Sequence, residues 1–138
     1  MLRGQTGTDK FWAGIRDYYR QYRDGNASSA DFRRVMEENS GQALGWFFEQ
    51  WLQRTPSPAI EGGWQYNSSS GKVVIDLAQT QKGDAYRLPL EIGIDGRVEK
   101  VEMTQKQQHF EFAAERAPES VILDPNTWVL MDARFTKK

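Results

Sequence analysis

The sequence predicts an α+β protein in which a short three-helix segment, residues 1–54, precedes an all-β immunoglobulin-like sandwich of about seven strands, residues 55–138. Three observations predict this division. Apolar residues recur at three- to four-residue intervals before Thr55, and they alternate with a period of two after it. The two regions meet at a Thr-Pro-Ser-Pro stretch, whose two prolines prevent a helix from continuing.

The helical segment contains three amphipathic stretches. The first begins near Thr8, a suitable N-cap, and ends at the Asp-Gly-Asn turn of residues 24–26. The second begins at Ser28 or Ser29 and ends at residues 40–41. The third carries one apolar stripe, which comprises Leu44, Phe47, Phe48, Trp51 and Leu52. We expect the segment, at about 50 residues, to be too short to form a complete domain by itself.

Short strands with frequent turn signals predict the sandwich that follows. The clearest strand spans residues 86–94, and Pro89 lies on its other face, which suggests a sheet edge or a bulge there. The next strand places Val98 and Val101 out of phase, so we expect a β-bulge near residues 99–100. The last strand is predicted over residues 127–135.

Composition excludes several functional classes. The formal net charge is -1, so no global field attracts nucleic acid or an anionic membrane, and we expect neither as a partner. The chain has no cysteine, which excludes disulfides, thiolate metal sites and a cysteine nucleophile, and leaves the cellular compartment open. No apolar run approaches the length of a membrane span, and the amino terminus lacks the apolar stretch of a signal peptide.

No motif in the sequence predicts a reaction centre. The only histidine, His109, alternates with inward phenylalanines, so it should face solvent beside Glu111. The pair Glu37-Glu38 is expected to form a solvated helix face with two nearby arginines. Asp76, Glu91, Glu99 and Glu102 occupy strand positions that are predicted to face outward. The sequence contains neither a nucleophile elbow nor a phosphate-binding loop, so it predicts no catalytic and no metal-ligating residue.

Tryptophans raise two further hypotheses. Trp64 and Trp128 could form a stacking platform in a stand-alone β-sandwich module that binds carbohydrate or protein, although alternation places Trp64 in phase with Ile60, which favours the core. Trp12 and Trp46 lie off the main stripes of their helices. We predict a domain interface whose residues are Trp12, Trp46, Phe47 and Trp51.

The order of these segments resembles a known family. The stretch from Met1 to Tyr66, and above all "SGQALGWFFEQWL" followed by "PSPAIEGGW", is similar to the end of the catalytic region in the gluzincin aminopeptidases, the aminopeptidase N-like zinc metallopeptidases. In that family a Leu-Arg pair, like Leu2-Arg3 here, ends a helix. Two helices like "FWAGIRDYYRQY" and "DFRRVMEE" follow, then a segment like "SGQALGWFFEQWL", and a proline-containing junction leads to a β-sandwich. The resemblance covers essentially the whole chain.

The resemblance implies a non-catalytic, structural role for this chain. The family's zinc site is an H-E-x-x-H helix with a later glutamate, and its substrate amine is held by glutamates, one of them in a G-x-M-E-N strand. None of these motifs occurs here, and all would lie before Met1. We therefore expect zinc and peptide substrate to bind only to the full-length parent, with its upstream catalytic domain as the partner of this chain. A catalytically inactive relative that serves as a scaffold is the remaining alternative.

Overall fold

The computed structural model describes all 138 residues and divides them into two compact units, Met1–Thr55 and Pro56–Lys138. The helices are α1 Leu2–Thr6, α2 Thr8–Tyr22, α3 Ser29–Ser40 and α4 Gly45–Gln53. The strands are β1 Ala59–Asn67, β2 Lys72–Gln79, β3 Leu88–Ile94, β4 Arg97–Met103, β5 Gln107–Ala113, β6 Val121–Leu123 and β7 Asp132–Lys137. The predicted α+β class, helices followed by a seven-stranded sandwich, is confirmed, and the short α1 adds a fourth helix.

Helix α3 has a complete cap at each end. The Ser28 hydroxyl accepts a hydrogen bond from the Asp31 backbone N–H at 3.2 Å, and the Asp31 carboxylate accepts one from the Ser28 backbone N–H at 2.9 Å. Gly41 ends the helix in the left-handed region, with φ of 69°. Helix α2 begins at Thr8 with Gly7 as its N-cap, so the predicted cap lies one residue too late.

A side chain of α3 accepts a hydrogen bond from the backbone at the start of helix α4. The Glu37 carboxylate accepts a hydrogen bond from the backbone N–H of Leu44, the N-cap residue of α4, at 2.7 Å. Leu44 itself is fully buried, as are Val35 and Met36 of α3. The polar contact and these apolar side chains together fix where the third amphipathic stretch begins.

Seven strands form two sheets in the second unit. One sheet has four strands in the order β5-β2-β1-β7, and the other has three in the order β4-β3-β6. All pairings are antiparallel except that of β1 with β7, which is parallel. The buried apolar side chains alternate along the strands, and they include Ile60, Trp64, Val73, Ile75, Leu77, Leu88, Leu90, Ile92, Ile94 and Met103.

The predicted β-bulge in β4 is wrong. Strands β3 and β4 pair in continuous register from Leu88–Met103 to Ile94–Arg97. Val98 therefore lies opposite Gly93 on the outer face, where its side chain is 42% exposed. The prediction that Glu99 faces outward is wrong, because Glu99 lies opposite Ile92, whose side chain is fully buried on the inner face. Glu99 forms an ion pair with Arg97 at 3.0 Å. The apolar pattern of β4 is broken because Val98 is an apolar residue on the surface, and not because the strand contains the extra residue of a β-bulge.

Pro89 lies on a part of β3 that has a neighbouring strand on one side only. β3 is the central strand of its sheet, but β6 pairs only with Ile92–Ile94. No strand on that side requires a hydrogen bond from Pro89, which has no N–H to donate.

The segment between β6 and β7 is a loop, so the last strand begins at Asp132 rather than at residue 127. The Asp124 carboxylate accepts a hydrogen bond from the Val129 N–H at 2.8 Å, and Asp124 has φ of 49°. Pro125 packs at Gly93, where an added Cβ would lie 3.3 Å from the proline ring. Asn126 donates a hydrogen bond to Glu91 at 2.7 Å. Glu91 is consequently only 9% exposed, although an exposed outward position was expected.

Candidate functional site

Helix α4 gathers three of the four predicted interface residues into one aromatic cluster, which we define as Trp46, Phe47, Phe48 and Trp51. The Phe47 ring centroid lies 5.7 Å from that of Trp46, 5.9 Å from that of Phe48 and 6.3 Å from that of Trp51. Phe47 is 7% exposed, and its neighbours are partly buried. The three- and four-residue spacing of Phe47, Phe48 and Trp51 places them on one side of the helix.

Other rings connect the aromatic cluster to the rest of the helical unit. Phe48 meets Phe32 of α3 at 6.0 Å, and Phe32 meets Tyr18 of α2 at 5.0 Å, in both cases edge to face. Trp12, the fourth predicted residue, lies on α2, where it contacts Phe11 at 5.2 Å and is 45% exposed. The structure thus assembles Trp46, Phe47 and Trp51 and places Trp12 elsewhere; their role as an interface stays a prediction.

Trp64 belongs to the core of the sandwich. It is 4% exposed, and the ammonium group of Lys137 lies 4.9 Å from its ring centroid. A buried indole cannot offer a face to a sugar. Trp128 lies in the loop between β6 and β7 and is partly exposed. The two tryptophans of the carbohydrate hypothesis therefore do not form an exposed platform together.

Ionisable side chains meet on the outer face of the four-stranded sheet, in a group that we call the charge cluster: Lys72, Asp76, His109, Glu111 and Lys138. Lys138 Nζ contacts Asp76 Oδ2 at 2.6 Å, and Asp76 Oδ1 contacts His109 Nδ1 at 2.8 Å. On the other side of the imidazole, Nε2 lies 3.4 Å from Glu111 Oε1, and Glu111 Oε2 contacts Lys72 Nζ at 2.6 Å. Positive and negative groups alternate along this chain of contacts when His109 is protonated.

The contacts of the charge cluster shift the pKa values of its members. Hydrogen bonds from Lys138 and then His109 lower the pKa of Asp76, and the Lys72 ammonium is the main cause of a lowered pKa at Glu111. Hydrogen bonds to Asp76 and then Glu111 raise the pKa of His109. Each shift favours the charged form, because each group has a partner of opposite charge.

Part of the charge cluster was predictable from the sequence. The prediction that His109 faces solvent beside Glu111 is confirmed. The contact with Asp76 was missed, because it depends on the pairing of Asp76 with His109 across β2 and β5, and residues 33 positions apart carry no local signal. The alternation of apolar and polar residues in β2 and β5 did predict that the side chains of Asp76 and His109 both face outward, which is the part of this contact that the sequence indicates.

A shallow cavity of about 540 Å³ lies beside the charge cluster. Its lining includes Glu61, Asp76, Gln107, His109 and Lys138, but no serine, threonine or cysteine. The cavity therefore offers no hydroxyl or thiol side chain that His109 and Asp76 could activate.

The residues of this chain do not fit the zinc ion that the family resemblance implies. No group of three or more histidine, cysteine, aspartate or glutamate side chains is arranged to hold a metal. A zinc site needs three or four such ligands. As to membranes, none of the four helices is long and apolar enough to cross one.

Comparisons with known proteins give a likeness of fold. No family model and no curated protein matches the sequence. Among solved structures, aminopeptidase A of Legionella pneumophila, crystallised in complex with aspartic acid, is similar with a TM-score of 0.79 and 15% sequence identity. The match covers 97% of this chain but only 16% of that chain. This chain therefore has the fold of one part of a much longer aminopeptidase.

Proposed function

We propose that this chain is the non-catalytic C-terminal portion of a zinc-dependent aminopeptidase of the gluzincin, aminopeptidase N-like type, and that it braces the catalytic domain. The observation that carries the proposal is the fold likeness, which extends over 97% of this chain and 16% of an aminopeptidase chain. The order of helices, proline junction and sandwich supports the same family. In the parent polypeptide, hydrolysis of N-terminal peptide bonds would belong to residues outside this sequence.

The partner in this proposal is the upstream catalytic domain of the same polypeptide, which would hold the zinc ion and the peptide substrate. Trp12 supports such a contact, because it is a large apolar side chain that is 45% exposed on α2. Tyr19, one heptad further along the same helix, is 67% exposed. Large exposed apolar side chains on one side of an element are typical of surfaces that contact another domain.

The zinc content and activity of the isolated 138-residue chain test the non-catalytic part of the proposal. We expect no stoichiometric zinc by elemental analysis and no hydrolysis of amino-acyl anilides. The native polypeptide should also be longer, and an H-E-x-x-H motif should be encoded upstream. Zinc at one equivalent, or hydrolysis that survives further purification, would contradict the proposal.

A Trp12→Ser variant tests the bracing role. Because Trp12 is exposed here, the substitution should change the stability of the isolated chain little, whereas it should lower the thermal midpoint of the parent polypeptide. Arg20→Ala is a matched control, since Arg20 is an exposed residue of the same helix. Equal effects of Trp12→Ser on the isolated chain and the parent would argue against a contact at this position.

A further inference from the structure

The charge cluster contains an imidazole with a carboxylate at each ring nitrogen. His109 projects from β5, Asp76 from β2, and Glu111 from β5 two residues beyond His109. Only a protonated imidazole has two N–H groups, so only that form donates to both carboxylates. The geometry points to a proton-operated bridge, in which protonated His109 joins Asp76 to Glu111 and thereby makes its contact with Asp76, which crosses from β5 to β2, an ion pair.

Loss of the proton affects the two contacts unequally. The neutral ring keeps one N–H, and the 2.8 Å contact with Asp76 is the shorter of the two. The bare nitrogen then faces Glu111 Oε1, which is also an acceptor, so the 3.4 Å contact is no longer a hydrogen bond. Glu111 is left with Lys72 as its partner. Deprotonation therefore breaks the contact between His109 and Glu111, both on β5. It also turns the contact with Asp76 of β2 from an ion pair into a hydrogen bond from a neutral ring.

Neighbouring charges set the pH at which the bridge opens. Asp76 and Glu111 face the imidazole directly, Lys138 and Lys72 face those carboxylates from the far side, and Glu61 of β1 lines the adjacent cavity. The carboxylates raise the pKa of His109 above its ordinary value of about 6.5. As long as Asp76 and Glu111 stay ionised, the bridge contributes its full stabilisation below about pH 6.5, and the contribution is lost as the pH rises through the pKa of His109 in the folded protein.

Four substitutions in the full chain test this assignment by nuclear magnetic resonance. His109 is the only histidine, so its ring signals need no assignment by mutation. Asp76→Asn and Glu111→Gln should each lower the pKa of His109, and Asp76→Asn should lower it more, because Asp76 makes the larger contribution. Lys138→Gln and Lys72→Gln should raise it, because each lysine neutralises a carboxylate that His109 uses. Lys100→Gln, on the other sheet, is the control and should change nothing.

The strand-tying role has its own readout. Amide exchange of β5, corrected for its intrinsic pH dependence, should become about twofold faster as the pH rises through the pKa of His109, because the cross-strand contact with Asp76 loses the positive charge of the imidazolium. Amides of β4 provide the internal reference, and in Asp76→Asn, which removes the carboxylate on β2, the change should disappear. If none of the four substitutions changes the pKa of His109, the proposed bridge is wrong. Unchanged β5 exchange with the expected pKa values would overturn its role in tying the strand.

Discussion

Gly62 of β1 lies where two backbones approach closely. A Cβ added there would stand 2.3 Å from the carbonyl oxygen of Asp76 and 2.8 Å from a methyl group of Leu77. Since the first of these neighbours is backbone, it cannot turn aside as a flexible side chain would. The absence of a side chain at Gly62 therefore maintains the pairing of β1 with β2.

We expect Gly62→Ala to lower the free energy of unfolding of the sandwich by about 1–3 kcal/mol, the usual cost of forced overpacking. Urea unfolding monitored by circular dichroism measures it. Gln65→Ala, an exposed position on the same strand, is the control and should stay within about 0.5 kcal/mol. If Gly62→Ala is as stable as the unsubstituted chain, β1 and β2 can move apart at this position at little cost in free energy.

Phe47 is the best-buried ring of the aromatic cluster and contacts three others. Phe47→Ala should destabilise the helical unit by about 3–5 kcal/mol, because it removes a large buried side chain and leaves a cavity. Tyr19→Ala, at a position that is 67% exposed, should cost less than about 1 kcal/mol. Thermal unfolding followed by far-ultraviolet dichroism compares the two, and a similar effect of both would argue that Phe47 is not a core residue.

At the scale of the single element, helix α3 depends on its N-terminal capping box. Ser28→Ala should lower stability by about 1 kcal/mol, because the Asp31 N–H loses its acceptor at the helix end. The adjacent Ser29→Ala is the matched control, since Ser29 is exposed and lies inside the first turn. Chemical denaturation of both variants should show a loss in the first only, and a loss of equal size in the second would place the cap elsewhere.

Elements with a strong local pattern were predictable from the sequence, and those set by distant contacts were not. The Ser-Gly end of α3 and the alternation along β3 indicated these elements correctly. The bulge in β4 was predicted wrongly because Val98 is apolar yet exposed, so its hydrophobicity gave a false phase. The start of β7 was misplaced because side-chain bonds within the loop, such as that of Asp124 with Val129, hold residues 124–131 out of the sheet.

At the scale of the whole molecule, the junction between the two units is a target for proteases. Thr55, Pro56 and Ser57 are exposed, and Arg54 directly precedes them. Limited trypsin digestion should therefore produce fragments 1–54 and 55–138 first. Mass spectrometry identifies them, and Arg54→Gln should remove this early cut. Initial cleavage inside the sandwich would show that another loop is more accessible.

At the same scale, the candidate site depends on contacts between distant parts of the chain. The cluster around His109 required a tertiary register to become visible, because Asp76 and His109 lie on different strands. A residue that contacts a partner outside the sequence, as proposed for Trp12, is recognisable only because its large apolar side chain is exposed to solvent.

The parallel pairing of β1 with β7 has a consequence for synthesis on the ribosome. β1 is the first strand of the sandwich to be made and β7 is the last, and they pair from Ala59–Asp132 to Trp64–Lys137. The nascent chain must therefore keep one side of β1 open until roughly 70 further residues have emerged, which makes this contact a late and slow step. During that interval the bare edge of β1 can pair with a neighbouring nascent chain. Ribosomes stalled just before β7 should accordingly carry the most aggregation-prone form of this protein.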